Sequence, residues 1–271
     1  MNKTTKGRIK KEAKDALKDR ENMQKIQIRI LTLVIMFSLL YVMRYVTLNM
    51  TIDGWTSIDA KVYDFIKLYI NDVNTAIFSI ITLLGKELII VSIVITLFVY
   101  FYSKVILKFF KKVDNNERKT EIKSRILNLA MYLSISTSIV YLINKVLKNV
   151  FKRSRPNVLR LTVEDGFSFP SGHTISSTFF YFLLGNIIIF EIDNYIKLIL
   201  KNADIKNINK IKTLSVIKTF VKVITTLIPI LVGISRIYLG VHYFTDVAGA
   251  FMLGGLMYVL FSKMMYIKIK K

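Results

Sequence analysis

The sequence predicts an all-α polytopic membrane protein: a six-transmembrane-helix bundle with an interfacial amphipathic helix in the first outer loop. Hydrophobic residues make up 53% of its 271 residues, and the mean hydropathy is +0.45, too apolar for an ordinary soluble domain of this size. Apolar runs of spanning length alternate with loops, and basic residues concentrate in every second loop. These observations place the chain in a cell membrane.

The strongly basic balance needs an explanation of its own. The formal net charge is +22, from 40 Lys and Arg against 18 Asp and Glu. A basic nucleic-acid-binding protein would not also carry several nearly uncharged runs of spanning length, so we expect membrane lipids and no nucleic acid as partners. The chain has no cysteine, which excludes a disulfide framework and a thiolate metal site. No pattern indicates an oligomeric state.

Three regions follow from the hydropathy pattern. Residues 1–25 are interpreted as a retained cytoplasmic basic tail, residues 26–262 as one membrane domain, and residues 263–271 as a second cytoplasmic basic tail. The six predicted spans run from about Ile26 to Val46, Asn74 to Tyr102, Ile126 to Val146, Thr174 to Phe190, Phe220 to Tyr238 and Phe244 to Phe261.

Charged residues within the first two predicted spans need specific positions. Arg29 and Arg44 lie near the ends of the first span, where long side chains reach the interface. The second predicted span is longer than the roughly 20 residues a bilayer requires. We therefore expect Lys86 and Glu87 to lie outside the hydrocarbon or to face protein.

The loop between the first two spans has a helical pattern. Its apolar residues recur at the spacing of one helical face: Ile58, Val62, Phe65, Ile66 and Tyr69. The pattern predicts an amphipathic helix at the membrane interface. Simple capping of the bundle is the favoured role, ahead of a gate for lipid entry.

The loops predict the orientation. In a six-span arrangement the basic loops and both tails share one side, which the positive-inside rule assigns to the cytoplasm. The outer segment between the third and fourth spans breaks this rule, because it holds Lys148, Lys152, Arg153, Arg155 and Arg160. Membrane topology gives no reason for a basic cluster on the outer side. We therefore expect the cluster to have a role in the protein's function.

Two histidines, His173 and His242, are predicted on the same outer side. One histidine at an interface is more often a packing residue, but two beside a basic cluster favour a site. Lys148, Arg155 and Arg236 can donate charge-assisted hydrogen bonds to the oxygens of a phosphate.

The residues beside the histidines suit the same chemistry. Ser171 and Gly172 begin a helix whose backbone N–H groups can bind an anion, and helix capping by Ser171 is compatible with that role. If the chain is helical from His242 onward, Asp246 at i+4 can accept the proton of one imidazole nitrogen. The other nitrogen is then free to act as a nucleophile.

Three motifs in chain order resemble the signature of the type-2 phosphatidic acid phosphatase superfamily, which also includes the vanadium-dependent haloperoxidases. They are Lys148-x6-Arg155-Pro156, then Pro170-Ser171-Gly172-His173, then Ser235-Arg236-x5-His242-x3-Asp246. Three motifs in register are highly specific. Phe244 departs from the proline found in many relatives, which affects local geometry only.

The resemblance implies a role for each matched residue. His242 would attack phosphorus to form a phosphohistidine, with Asp246 orienting it, and His173 would protonate the leaving oxygen and later activate water. The phosphate-binding residues would be Lys148, Arg155, Ser171, Gly172 and Arg236. The resemblance implies no metal and no cofactor.

The implied activity is hydrolysis of a lipid phosphate or diphosphate at the extracytoplasmic face. Undecaprenyl diphosphate, phosphatidate and phosphatidylglycerol phosphate are the candidate substrates, and the family resemblance favours the first two. A lipid-to-lipid phosphotransferase with the same site is an open alternative. A non-enzymatic protein that binds anionic lipid headgroups would leave the His–Asp spacing unexplained. The membrane spans disfavour a soluble haloperoxidase.

Overall fold

The computed structural model describes residues 54–96, 99, 117–158, 160–201 and 208–269, with scattered positions between 30 and 49. The N-terminal tail, most of the first predicted span and many of the predicted cytoplasmic basic residues lie outside these residues. The division into two tails and one membrane domain therefore stays a prediction.

All regular structure in the described part of the chain is helical, which confirms the predicted all-α class. The helices are α1 (Ser57–Ile66), a 3-10 turn (Lys67–Tyr69), α2 (Asp72–Leu83), α3 (Glu87–Thr96), α4 (Glu117–Phe151), α5 (Gly172–Lys201), α6 (Ile208–Tyr238) and α7 (Phe244–Ile269).

Four helical stretches are long and apolar enough to cross a membrane: Leu127–Phe151, Gly172–Lys197, Asn209–Tyr238 and Phe244–Met265. Helices α2 and α3 form a fifth candidate if they are counted as one broken span. Large apolar side chains such as Ile135, Leu142 and Phe220 remain exposed on these helices, a surface suited to lipid. The chain is therefore a multi-pass membrane protein. The six-span count stays a prediction, because it requires the first span.

The second predicted span is not one continuous helix, which corrects the sequence-based expectation. Helices α2 and α3 meet at an angle of 47° across a short break. A Cβ at Gly85 in this break would lie 2.5 Å from Cγ1 of Val232 and 3.0 Å from the carbonyl oxygen of His173. Only a glycine allows the break to pack this closely against α5 and α6. The Tyr181 hydroxyl donates to the Leu84 carbonyl at 3.0 Å, which satisfies an acceptor that the break leaves free.

Helix α1 occupies the loop where a helix was predicted, but an unexpected residue faces the protein. Thr56 and Asp59 form a capping box at its start. Within α1 the buried residue is Asp59, whereas Ile58 and Phe65 on the predicted apolar face are 43% and 61% exposed. The contact with the bundle is thus built on a carboxylate. The interfacial position of α1 stays a prediction.

Helix α5 is the centre of the described bundle, because it packs against α4, α6 and α7. Its buried Ile175, Phe179, Phe180 and Leu183 form the main apolar core with Val140 of α4 and Ala250 of α7, among others. Small residues bring the helices close together, as expected for packing in a membrane. Gly254 of α7 faces Thr178 of α5, for example.

Two ion pairs join the helices near one end of the bundle. Arg125 of α4 donates to both carboxylate oxygens of Glu191 on α5, at 2.9 and 2.8 Å. Lys218 of α6 pairs with Asp193 of α5. At about 1.5 Å of rise per residue, Glu191 lies roughly 27 Å along α5 from His173. These pairs are therefore remote from the predicted site.

Two adjacent glycines on α7 allow a matched test of this packing. A Cβ at Gly254 would lie 2.8 Å from Cβ of Thr178 and 3.0 Å from the carbonyl oxygen of Ile175, whereas a Cβ at Gly255 meets nothing within 4 Å. We predict that Gly254→Ala lowers the Tm in detergent, because overpacking costs about 1–3 kcal/mol.

Gly255→Ala is the control, and we expect its Tm to be unchanged or higher, because alanine favours a helix over glycine by about 1 kcal/mol. Thermal unfolding of the two purified variants, followed by circular dichroism, makes the comparison. Equal shifts in both variants would contradict the assigned packing of α5 against α7.

Candidate active site

The residues singled out in the sequence converge at one end of the bundle. Lys148 lies in the last turn of α4, His173 in the first turn of α5, Arg236 in the last turn of α6 and Asp246 in the first turn of α7. Arg155 and His242 lie in the segments that connect these helices. The end of each helix therefore contributes a charged or titratable side chain to one small region.

His242 and Asp246 form the predicted pair. Helix α7 begins at Phe244 rather than at His242, yet Asp246 still reaches the imidazole, with 3.3 Å between Nδ1 and Oδ2. The same carboxylate oxygen accepts hydrogen bonds from the Tyr243 backbone N–H at 3.0 Å and from the Ser168 hydroxyl. Gly240 makes the reversal between α6 and α7 with a positive φ of 68°.

The second imidazole nitrogen of His242 faces a cation. Arg155 Nη1 lies 3.2 Å from Nε2, and a guanidinium can only donate, so Nε2 is the accepting nitrogen and Nδ1 carries the proton towards Asp246. Burial, and then the charges of Arg236, Arg155 and Lys148, hold the pKa of His242 well below its usual value of 6.5. A neutral imidazole with Nε2 unprotonated is the form required for nucleophilic attack, and in this structure the Nε2 lone pair accepts from Arg155.

Two of the predicted phosphate-binding cations are held by backbone carbonyls. Arg155 donates through Nε to Gly166 at 3.1 Å, through Nη2 to Asp165 at 2.9 Å and through Nη1 to Val241 at 2.9 Å. Lys148 Nζ donates to the Phe167 carbonyl at 2.5 Å. Carbonyl oxygens position these side chains without supplying a full negative charge that would neutralise them.

Arg236 has a different set of partners. Its Nη1 donates to the Thr82 hydroxyl at 2.8 Å, its Nη2 donates to Glu164 Oε1 at 2.6 Å, and its Nε is buried with no partner in the described part of the chain. A buried donor without an acceptor is costly, and a bound anion would satisfy it. The sequence did not single out Glu164.

Glu164 shows how strongly positive this region is. Burial alone would raise the pKa of its carboxyl, but the charges of Arg236 and Arg155 and the hydrogen bond from Arg236 outweigh it and lower that pKa. Glu164 thus stays ionised beside the cations. Its carboxylate demonstrates that an anion is accommodated next to Arg236.

Ser171 and Gly172 stand at the start of α5, as predicted. The Ser171 hydroxyl is buried and lies 3.0 Å from the Thr174 hydroxyl, and its backbone N–H donates to the Asp246 carbonyl at 3.3 Å. A Cβ on Gly172 would lie 3.0 Å from Nδ2 of Asn144 and 3.9 Å from Cε of Lys148. The absence of a side chain at Gly172 thus keeps the space beside Lys148 open.

The outer basic cluster is not one functional unit, which corrects the sequence-based grouping. Lys152 and Arg160 are exposed, whereas Arg153 is 1% exposed and points away from the other cations. Arg153 Nη1 donates to Asp246 Oδ1 and its Nη2 to Asp59 Oδ2, both at 2.7 Å. The guanidinium carbon Cζ of Arg153 also lies 3.9 Å from the ring centroid of Tyr243.

The sequence carried no local signal for the separate role of Arg153. Arg153 and Arg155 are two residues apart in a non-helical segment, a spacing that places both side chains on one face of an extended chain. The partner Asp59 lies 94 residues away in the chain, so spacing does not reveal that pair either. In the described residues, no three His, Asp or Glu side chains are grouped so that they could hold a metal ion.

Comparisons with known proteins identify the family. The family model of the PAP2 superfamily matches residues 129–270. The chain is 38% identical over 119 residues to phosphatidylglycerophosphatase B of Bacillus subtilis (strain 168), a match covering 44% of this chain and 49% of that protein. The chain thus spans about half the length of this curated relative.

Solved structures with a similar fold were also found. The crystal structure of a transmembrane PAP2-type phosphatidylglycerolphosphate phosphatase from Bacillus subtilis superposes with a TM-score of 0.63 at 24% identity, covering 86% of this chain and 94% of that chain. The structure of Aquifex aeolicus LpxE has a TM-score of 0.48 at 20% identity, with 79% and 99% coverage. At 24% sequence identity, the similarity to the Bacillus subtilis structure shows a shared fold.

The depressed pKa of His242 predicts how stability depends on pH. In the unfolded chain the imidazole takes up a proton below about pH 6.5, whereas the buried imidazole does not. The unfolded state therefore binds more protons, and the free energy of unfolding falls as the pH decreases below 6.5, by up to about 1.4 kcal/mol per pH unit.

We expect the Tm of the wild-type protein in detergent to fall between pH 7 and pH 5 more steeply than that of His242→Asn, which lacks the titrating group. Differential scanning fluorimetry at matched ionic strength measures both slopes. Identical slopes would show that His242 is protonated in the folded protein.

Proposed function

Because the chain belongs to the PAP2 superfamily, we propose that it is a membrane lipid phosphatase that works through a phosphohistidine on His242. The observation that carries this proposal is the buried imidazole of His242, with Nδ1 on the Asp246 carboxylate and Nε2 directed at the cationic region. The Asp246 carboxylate orients the imidazole of His242 as a nucleophile, and the neighbouring cations form the proposed anion-binding site.

The proposed reaction has two steps. His242 Nε2 attacks phosphorus while the bond to the lipid oxygen breaks, and His173 gives its proton to that oxygen. His173 then removes a proton from water, which attacks the phosphohistidine and releases inorganic phosphate. Asp246 stabilises the positive charge that develops on the imidazole in the first step.

Positive charge at the site replaces the need for a metal in this proposal. Lys148, Arg155 and Arg236 would contact the phosphoryl oxygens, the unpaired Nε of Arg236 among the donors. Ser171 and the backbone of Gly172 would complete the cradle at the start of α5. Preorganised cations of this kind stabilise the charge of a phosphoryl-transfer transition state.

A cavity beside the site supports a lipid substrate. It measures about 500 Å³ and is lined by Leu88, Ile90, Val91, Val94 and Ile95 of α3, with Tyr141 of α4 and several hydroxyl side chains. Glu87 lines the same cavity, and its Oε1 lies 3.6 Å from the position of a Cβ on Gly172. An apolar chain in this cavity would therefore begin next to the phosphate cradle.

The substrate is proposed to be a lipid phosphate or diphosphate monoester. The name of the Bacillus subtilis relative makes phosphatidylglycerol phosphate the first compound to test, ahead of phosphatidate and undecaprenyl diphosphate. We place the site on the extracytoplasmic side, because the predicted cytoplasmic loops and tails carry most of the remaining basic residues.

We predict that the purified protein releases phosphate from at least one of these three lipids in EDTA and is inhibited by vanadate. His242→Ala should lower kcat by about a thousandfold or more, because the nucleophile is lost. Phosphate release is measured on each lipid, with the Tm of the variant as the folding control.

Labelling with a radioactive phosphate group should trap an acid-labile, alkali-stable phosphoprotein in the wild type and none in His242→Ala. Full activity of a folded His242→Ala variant would overturn the mechanism. Transfer of the label to a second lipid instead of water would identify a phosphotransferase.

The membrane side is tested separately. Arg160→Cys introduces the single cysteine of the chain at an exposed position close to the site. We expect an impermeant maleimide to label this variant in intact cells. Lys210→Cys, at the start of α6 near the opposite end, is the control, and we expect its labelling only after lysis. The reverse pattern would place the site on the cytoplasmic side.

A further inference from the structure

We propose that Asp59, on the outer-loop helix α1, is a positioning residue for the reaction. Through Arg153 it holds the carboxylate of Asp246, and thereby the imidazole of His242, in the orientation needed for attack. The inference rests on the proposed function. It assigns a role in catalysis to a helix whose side chains do not contact the phosphate-binding cations.

A continuous chain of short contacts links the two carboxylates. Asp59 Oδ2 accepts from Arg153 Nη2 at 2.7 Å, and Arg153 Nη1 donates to Asp246 Oδ1 at 2.7 Å. Asp246 then presents its other oxygen, Oδ2, to His242 Nδ1. The side chains of Asp59 and Asp246 have no exposed surface, and that of Arg153 is 1% exposed, so solvent cannot replace a lost partner.

The division of the two Asp246 oxygens explains why this pairing controls orientation. Oδ1 is held by Arg153, whereas Oδ2 faces the nucleophile. A guanidinium is planar and donates in fixed directions, so a correctly placed Arg153 helps to fix the rotation of the carboxylate, together with the Tyr243 N–H and the Ser168 hydroxyl that donate to Oδ2. Arg153 is itself fixed from the other side by Asp59 and by the Gly54 carbonyl, which accepts at 3.0 and 2.6 Å.

Asp59 also holds the start of α7 directly. Its Oδ1 accepts from the Thr245 backbone N–H at 2.9 Å and from the Thr245 hydroxyl at 3.0 Å. A carboxylate at a helix N-terminus satisfies a free N–H group and interacts favourably with the helix dipole. Asp59 of α1 therefore caps the N-terminus of α7. It does so next to the helical turn that carries Asp246.

The same geometry separates positioning from substrate binding. Asp59 makes its contacts with Thr56, Arg153 and Thr245, and none with Lys148, Arg155 or Arg236. Loss of Asp59 should thus change the rate of phosphoryl transfer more than the affinity for substrate. A misplacement of about 1 Å at a reacting group can cost about a hundredfold in rate.

The experiment compares Asp59→Asn with Asp64→Asn in the purified protein, with whichever of the three candidate lipids the wild type hydrolyses fastest as the substrate. Asp64 lies on the same helix but is 64% exposed and pairs only with Lys67 among the described residues. We expect kcat for Asp59→Asn to fall by about tenfold to a hundredfold with KM changed by less than about threefold. We expect Asp64→Asn to match the wild type.

A double-mutant cycle distinguishes positioning from a general loss of stability. If Asp59 acts through Asp246, then Asp59→Asn should cause little further loss of kcat in the Asp246→Asn background, because the group it orients is already gone. A destabilising change elsewhere would lower kcat by the same factor in both backgrounds. Rates are expressed per folded molecule, determined by size-exclusion chromatography.

A milder variant keeps the test decisive if Asp59→Asn folds poorly. Thr245→Val removes the hydroxyl that donates to Asp59 and accepts from Arg153 Nη1 at 2.7 Å, and it leaves both carboxylates on Arg153 in place. A fall in kcat that disappears in the Asp246→Asn background supports the proposal. Unchanged kcat in these variants, or losses that simply multiply, overturns it. A wild-type protein inactive on every lipid phosphate would instead refute the proposed function.

Discussion

The buried charge of Arg153 is the constraint on which the rest of the site depends. A guanidinium with no access to water is stable only when carboxylates surround it, and Asp59 and Asp246 supply them from two distant parts of the chain. Removing one partner of such a pair typically costs about 3–5 kcal/mol, because the remaining charge stays buried. The outer loop, the segment after α4 and the start of α7 are therefore held as one unit, and the nucleophile sits on that unit.

The other cations of the site are held by neutral groups more than by carboxylates. Arg155 and Lys148 are held by carbonyl oxygens, which position a cation without cancelling its charge. Arg236 keeps a buried donor without a partner among the described residues, and it pairs with the partly exposed Glu164. Arg153 is thus neutralised by two buried carboxylates to build the scaffold. Lys148, Arg155 and Arg236 are balanced less completely, as the proposed binding of an anion requires. The same residue type serves structure in one case and electrostatic binding in the other.

The parts of the site that the sequence predicted are those set by local spacing or by topology. His242 and Asp246 are four residues apart, and the motif residues gather because each stands in a helix terminus or a connecting segment at the same end of the bundle. The missed contacts are all long-range. Asp59 and Arg153 are 94 residues apart in the sequence, and Glu164 and Arg236 are 72 residues apart. No local sequence pattern predicts either pair.

The broken span illustrates a second limit. A glycine inside an apolar run is compatible with a helix, and Gly85 breaks the run because Val232 and the His173 carbonyl approach it closely. The bend thus depends on neighbours that only the folded chain brings together. By contrast, the helical class needed only the long apolar runs, which is why it could be predicted without any knowledge of contacts.

The ion pairs at the two ends of the bundle differ in their access to water, and this gives the protein an uneven response to ionic strength. Arg125–Glu191 and Lys218–Asp193 are partly exposed, so dissolved ions screen them. The Arg153 pairs are sealed from solvent, so salt has little effect on them. Rising salt concentration should therefore weaken the two pairs at the remote end while the Arg153 pairs stay nearly unchanged.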